Sequence, residues 1–189
     1  MSRRRLPPDE RRSQLIDVGA RLFAGRPYHE VQMAQVASAA GVSRALVYRY
    51  FPSKRDLFAA IYRQAADELV EVTGTRPPGA VDEWVSAGLD AHFDYFAAHA
   101  TTVLAANRDL AGDPMIQSII TGELAALRGR LLDALDLSGH RREMVAVALL
   151  AWLSFVRVSS VEWLLHGQIS RDELHTVCMR TLAAALVQP

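Results

Sequence analysis

The chain has one cysteine, Cys178, in 189 residues. That excludes an intrachain disulfide, leaves any zinc site without a set of thiolate ligands, and fits a reducing cytoplasm. Net charge is absent as well, with 21 Lys and Arg against 21 Asp and Glu. The longest nearly continuous apolar stretch, Met144 to Val156, is too short to span a bilayer and is followed by Arg157. Arg3, Arg4 and Arg5 near the start are not followed by the apolar core of a signal peptide. No cluster of acid, histidine and nucleophile, no phosphate loop and no metal-ligand spacing is present. His29-Glu30 begins like HExxH, but the second His position is Met33. Gly41 to Ala45 resembles a nucleophile elbow with Ala in place of the last Gly, and helical sequence stands where that motif needs a strand. His92 and His99 lack carboxylates at supporting positions and read as polar core or surface. No catalytic residue, metal or cofactor is expected.

What is present favours helices and a division of charge. Half of the residues are apolar, with many Ala and Leu. Residues 1–63 hold 12 Lys and Arg against 5 Asp and Glu, a net +7; residues 64–189 hold 9 against 16, a net −7. The basic end contains the most informative stretch, Met33 to Tyr62. Met33, Val36, Ala37 and Ala40 form one apolar stripe on a two-turn helix. Gly41 suits the positive φ of a helix end, Val42 plugs the turn, and Ser43 is a good N-cap for a second helix, Arg44 to Tyr50. Val47 faces inward and Phe51 closes the far end. Arg44, Ala45, Tyr48 and Arg49 face outward, with no acid among them.

Arginine can grip guanine N7 and O6 with two hydrogen bonds, and tyrosine can donate to phosphate while its ring packs on sugar or a thymine methyl. Pro52 stops the helix. Ser53 caps the next one, whose first turn holds Lys54 and Arg55; cations there oppose the helix dipole, and such a turn suits a phosphate. GVSRA alone is also compatible with an ordinary turn between structural helices. The combination of short helix, Gly turn, Ser cap, basic and aromatic face, Pro stop and Lys-led helix reads as a helix-turn-helix entering the major groove.

AGVSRALVYRYFPSKRDLF resembles the core of the TetR family of bacterial transcriptional regulators, and the likeness covers about residues 9 to 62. The resemblance implies that Arg44 and Ala45 occupy base-reading positions, that Tyr48 and Tyr50 sit at the phosphate and groove edge, and that Lys54 takes a phosphate. Arg49, Leu46, Ser43 and Gln32 complete the expected DNA-binding set. Leu46 replaces a common small hydroxyl residue and can touch a thymine methyl. Gln32, Met33 and Ala34 open the first helix of the motif where the family commonly has Ser or Thr and then a longer polar residue. Pro27 stands in place of the usual Gly before Tyr28, fixing φ and removing a donor.

The expected fold is all-α. A DNA-binding domain over 1–62, with a basic arm at 1–8, is joined by a long helix to a helical ligand-binding and dimerisation domain over 63–189. The arm is either a solvated tail or a reach toward the minor groove and nearby phosphates. Helices are expected over Pro8 to Gly25, Lys54 to Thr73, Val81 to His99, Thr102 to Leu110, Pro114 to Leu137, Gly139 to Leu165 and Ser170 to Val187. Gly74 to Gly79 forms a break, and Ser170 with Glu173 forms a capping box. The first helix buries Leu15, Ile16, Gly19, Leu22 and Phe23; the long one carries Leu57, Phe58, Ile61, Tyr62, Ala65, Leu69 and Val72.

The helix ending at His166 is apolar nearly all round in its first half, so several neighbours must enclose it. Pairing it with the last helix, through Leu174, Val177, Cys178, Leu182, Ala185 and Leu186, against the same two helices of a second chain would cover both. The resemblance implies that such a four-helix interface makes a homodimer, which calls for an inverted-repeat operator in double-stranded DNA. His92, Phe93, Phe96, Met115, Ile119, Trp152 and Phe155 can line a cavity for a small apolar or amphipathic ligand, or can be plain core. Glu123, Arg157 and Glu162 are interface or pocket charges. The leading expectation is a ligand-released repressor; a constitutive DNA-binding protein and a helical enzyme are the other classes.

Overall fold

The computed structural model describes residues 6–74 and 80–186, and every described element is helical. The Arg3 to Arg5 arm and the break at Pro77-Pro78 lie outside the described residues. The helices are α1 Pro8–Ala24, α2 Met33–Ala40, α3 Arg44–Tyr50, α4 Lys54–Gly74, α5 Val81–Ala98, α6 Ala100–Leu104, α7 Pro114–Ala134, α8 Gly139–His166 and α9 Arg171–Leu186. A 3₁₀ turn, Tyr28–Glu30, precedes α2, and a π-helical turn, Ala105–Asp109, continues α6.

Local chemistry sets most of these boundaries. Gly41 ends α2 at φ 66°, and the Leu46 N–H donates to the Ser43 hydroxyl at 3.2 Å. The Asp56 N–H donates to the Ser53 hydroxyl at 3.1 Å, which starts α4. The Ser170–Glu173 capping box forms in both directions, at 2.7 and 3.2 Å. Two elements differ from expectation by more than one residue at a boundary. α7 stops at Ala134 instead of Leu137 because Asp136 turns left-handed at φ 49°, a conformation its short polar side chain tolerates. The α6 segment begins at Ala100 and loosens into a π turn, where the Leu110 N–H reaches back to the Ala105 carbonyl at 2.9 Å.

α1 to α4 surround a core of Leu15, Val36, Val47, Leu57 and Phe58, all at or near zero exposure. α1 buries Val18 where Leu22 was expected; Leu22 is only half-buried. Gly19 lets α1 approach α4 closely, since a Cβ there would lie 2.9 Å from Ile61 Cδ1. This core does not close at residue 62. It continues into Ala105, Ala106, Ile116, Ile119 and Ile120, so α4 is a shared wall. Farther along α4, Ala66 and Leu69 are buried, whereas Val72 is exposed.

The second core gathers α5, α7, α8 and α9 around Phe93, Leu149, Trp152, Leu174 and Cys178. Leu174, Cys178 and Leu182, expected to meet a second chain, are instead buried against their own chain, and the Trp152 indole N–H donates to the Cys178 carbonyl at 2.9 Å. Burial pushes the Cys178 thiol up to about 11. The outward large apolar side chains are Met144, Val147, Leu150 and Val158 on α8, with Val147 and Val158 70 % and 62 % exposed, and Val177 on α9. α8 is 28 residues long and stays apolar past Arg157, so by length and composition alone it could cross a bilayer, contrary to the reading from Met144 to Val156. Its buried Arg157 is paired with Glu123, and the helix packs on α7 and α9, as a core helix does.

Candidate functional site

The outer face of α3 follows from one inward residue. Val47 is fully buried, and in a seven-residue helix that fixes which side remains outside. Arg44, Ala45, Tyr48 and Arg49 are exposed, Tyr48 at 42 %. Leu46 and Tyr50 are half-buried at the edges of this face, and the Arg49 guanidinium stands 5.6 Å from the Tyr50 ring. Ser43 is exposed, but its hydroxyl is engaged as the cap. Gln32 is likewise an N-cap: its backbone N–H donates to the Gln35 side chain at 2.9 Å in a reciprocal capping box. A polar amide can thus replace the Ser or Thr common at this position.

Lys54 lies at the rim. Its ammonium donates to the Tyr28 carbonyl at 2.8 Å and to the His29 carbonyl at 3.4 Å, and sits 4.3 Å from the Tyr28 ring. Burial moves its pKa below the ordinary lysine value. Arg55 turns away toward Asp113, at 3.5 Å, which also caps α7 by accepting from the Met115 and Ile116 N–H groups. Both cations of this first turn therefore have partners within the chain. These partners explain why the turn tolerates them against the helix dipole, and they were not legible in the sequence because they come from residues 25 or more positions away.

A second site lies at the other end of α4. A solvent-open cleft of about 60 Å³ is bounded by Thr73 of α4, Trp84, Leu89 and His92 of α5, Leu131 of α7 and Trp152 of α8. Of the seven side chains expected to line a cavity, His92 and Trp152 border this cleft. Phe93 and Phe155 pack in the core behind it, and Phe96 belongs to a smaller cluster with Leu69, Val103 and Val161. Ile119 is in the core shared with α1 to α4, and Met115 is exposed beside a different groove, with Arg12 and Arg63. Trp84 was missed. Its position in the first turn of α5, one turn before Gly88, gave no sign that an indole would be buried there.

Between the two sites runs a buried polar network. Arg157 Nη1 donates to Glu123 at 2.8 Å, Arg157 Nε donates to Asn107 Oδ1 at 3.0 Å, and Arg157 Nη2 donates to the Tyr62 hydroxyl. These bonds join α8, α7, the π turn and α4. Burial raises the pKa of Glu123, with the Arg157 charge opposing, and burial raises that of Tyr62. Glu162, by contrast, is on the surface beside His166 at 3.4 Å. The cleft wall touches this network. His92 stacks at 4.0 Å on Phe96, over which Arg157 stands at 5.7 Å. His92 Nε2 lies 3.1 Å from the Ser160 hydroxyl, which itself donates to the Val156 carbonyl, so Nε2 carries the imidazole proton. Burial, and then the Arg157 charge, push His92 down to about 3.

Residues 15–61 match the family model described as bacterial regulatory proteins, tetR family. The chain is 30 % identical over 154 residues to the HTH-type transcriptional activator FasR of Mycolicibacterium smegmatis, covering 78 % of this chain and 70 % of that one. It is 23 % identical to the fatty acid metabolism regulator protein of Bacillus subtilis, covering 82 % and 84 %. Among solved structures, a tetR-family transcriptional regulator from Streptomyces coelicolor superposes with a TM-score of 0.83 at 30 % identity, over 95 % of this chain and 82 % of that chain. The fold is also that of FadR from Bacillus subtilis in complex with stearoyl-CoA, with a TM-score of 0.61 at 18 % identity over 92 % and 97 %.

Proposed function

The chain belongs to the tetR family of bacterial regulatory proteins, and from that premise we propose a homodimeric transcriptional repressor that binds an inverted-repeat operator and is released by a small fatty-acyl ligand. Within the family it is a helix-turn-helix transcriptional regulator. Residues 1–62 serve DNA and residues 63–189 serve ligand and dimer, with α4 common to both. The protein works in the cytoplasm.

The observation that carries the DNA reading is the outer face of α3, where Arg44, Ala45, Tyr48 and Arg49 are exposed together with no acidic neighbour on that helix. Arg44 and Ala45 face base edges, while Tyr48, Arg49 and Tyr50 meet the backbone, with Leu46, Ser43 and Gln32 at the margins. Lys54 offers its third N–H to a phosphate while the other two hold the Tyr28–His29 carbonyls. The exposed valines of α8 and α9 support pairing with a second copy. The similarity to the fatty acid metabolism regulator protein of Bacillus subtilis, and to FadR in complex with stearoyl-CoA, supports an acyl effector. The effector acts by binding the released state better than the DNA-bound state. A second reading, activation, is favoured by the mycobacterial relative's description as an activator.

Selection of duplex DNA from a random pool, followed by affinity measurements at two salt concentrations, tests the reading. An inverted repeat with steep salt dependence is expected. Recovery of no preferred sequence contradicts it. Transcription from a promoter carrying the selected site then separates repression from activation.

A further inference from the structure

Both tryptophans of the cleft are deeply buried, yet only one has its indole hydrogen satisfied. Trp152 donates to the Cys178 carbonyl. Trp84 is 5 % exposed, and its Nε1 has no hydrogen-bond partner. A buried donor without an acceptor costs about 1 to 3 kcal/mol, so a ligand that brings an acceptor to it regains that energy on binding. The surroundings restrict the choice. The walls beside Trp84 are apolar, from Val85, Leu89, Leu131 and Leu153, and among the described residues no carboxylate lines the cleft to receive an amine or a cation. Among the same residues, the formal charge on its border is Arg130 of α7, exposed and donating to the Val70 carbonyl, which leaves further guanidinium hydrogens for an anion.

An apolar body, an acceptor oxygen partway along it and a negative charge toward solvent is the chemistry of a fatty acyl group. We propose that Trp84 Nε1 donates to the acyl carbonyl oxygen of the effector and that Arg130 meets its anionic end. This rests on the ligand-responsive reading above and adds the donor that recognises the carbonyl. A free fatty acid and an acyl-CoA share this chemistry. In the free acid the carboxylate serves both residues; in the thioester the carbonyl meets Trp84 and the phosphates meet Arg130. Binding at this place also bears on α4, since Thr73 of its last turn borders the cleft and the Arg130 contact is to its Val70 carbonyl.

The test compares ligands that differ by the carbonyl alone. Isothermal titration of the full chain uses octanoyl-, palmitoyl- and stearoyl-CoA, the corresponding S-alkyl-CoA thioethers, which lack the carbonyl oxygen, and the free fatty acids. The wild type is expected to bind an acyl-CoA or a fatty acid. Trp84→Phe, which keeps a ring and removes the donor, weakens the acyl ligand about tenfold. Where the acyl-CoA is the ligand, the thioether binds the wild type about tenfold more weakly than the thioester does, and Trp84→Phe no longer distinguishes the two. Arg130→Met weakens the anionic ligands and flattens the salt dependence of their binding. Binding of the free acid alone identifies the carboxylate as the source, with the Trp84→Phe loss supporting the contact. If an acyl ligand binds and Trp84→Phe binds it as tightly as the wild type, the Trp84 assignment is overturned while the acyl reading stands. If the wild type binds none of the acyl ligands, both fall.

Discussion

Lys54 and His92 carry charges, present or suppressed, whose roles depend on partners far away in sequence. The Lys54 ammonium holds two carbonyls of the Tyr28–Glu30 turn and packs on the Tyr28 ring. Lys54→Ala is therefore expected to weaken binding to all duplexes, to reduce the salt slope by about one unit, and also to lower stability by about 1 kcal/mol. Titration at several salt concentrations and urea unfolding measure the two effects. Tyr48→Phe, on an exposed residue, is expected to show the binding loss without the stability loss. His92 predicts a pH dependence. Its folded pKa is down at about 3, against about 6.5 in an unfolded chain. As pH falls below about 6.5 the unfolded chain takes up a proton that the folded chain refuses, so stability is full above that pH and declines toward pH 3. The decline reaches about 2 kcal/mol at pH 5. Urea unfolding at pH 8 and pH 5 checks this, and His92→Gln should flatten the difference. At this scale the sequence was legible where a role is local. The Ser43 and Ser53 caps, Gly41 and the inward Val47 follow from neighbours within a turn, whereas the partners of Lys54, Arg55 and His92 come from other elements.

α4 is the element on which the account turns. Its first half is packed with α1 to α3 through Leu57, Phe58 and Ile61, and its last turn borders the cleft at Thr73. Midway, the Tyr62 hydroxyl accepts from Arg157, whose other bonds reach Glu123 and the π turn at Asn107. Arg157 and Glu123 side chains are only 7 % and 3 % exposed, so the charges cannot turn to water when one partner is removed. Arg157→Met is expected to cost about 3 to 5 kcal/mol, and combining it with Glu123→Leu should restore most of that loss. Denaturant unfolding of the single and double variants measures it; equal losses in both would mean that the pair is not the source. The sequence marked Glu123 and Arg157 as interface or pocket charges without pairing them. They stand 34 residues apart on helices whose facing sides depend on packing. The π turn was hidden for the same reason: Asn107 bonds both to the Val103 carbonyl and to Arg157.

For the whole molecule, the division into a basic end of net +7 and a remainder of net −7 agrees with one surface for DNA and a large part kept from it. The helical architecture was legible because apolar periodicity and caps recur along the chain. The reach of the first core into α7 was not legible, since Ile116, Ile119 and Ile120 join it only through tertiary packing. On α9 an apolar helical face indicates burial and does not say by which chain. Leu174, Cys178 and Leu182 are covered internally, whereas Met144, Val147, Leu150 and Val158 of α8 and Val177 of α9 are outside. Val147→Asp with Val158→Asp is expected to give a folded monomer by sedimentation, with operator affinity reduced at least about a hundredfold as the second half-site is lost. A persistent dimer contradicts that placement. The central claim, that the outer face of α3 reads bases, is tested most directly by repeating the DNA selection with Arg44→Ala beside the wild type. The expected result is the same inverted repeat with preference lost at one base pair in each half-site, at symmetric positions, and a cost of about 1 to 3 kcal/mol at that pair. An unchanged sequence preference would contradict it.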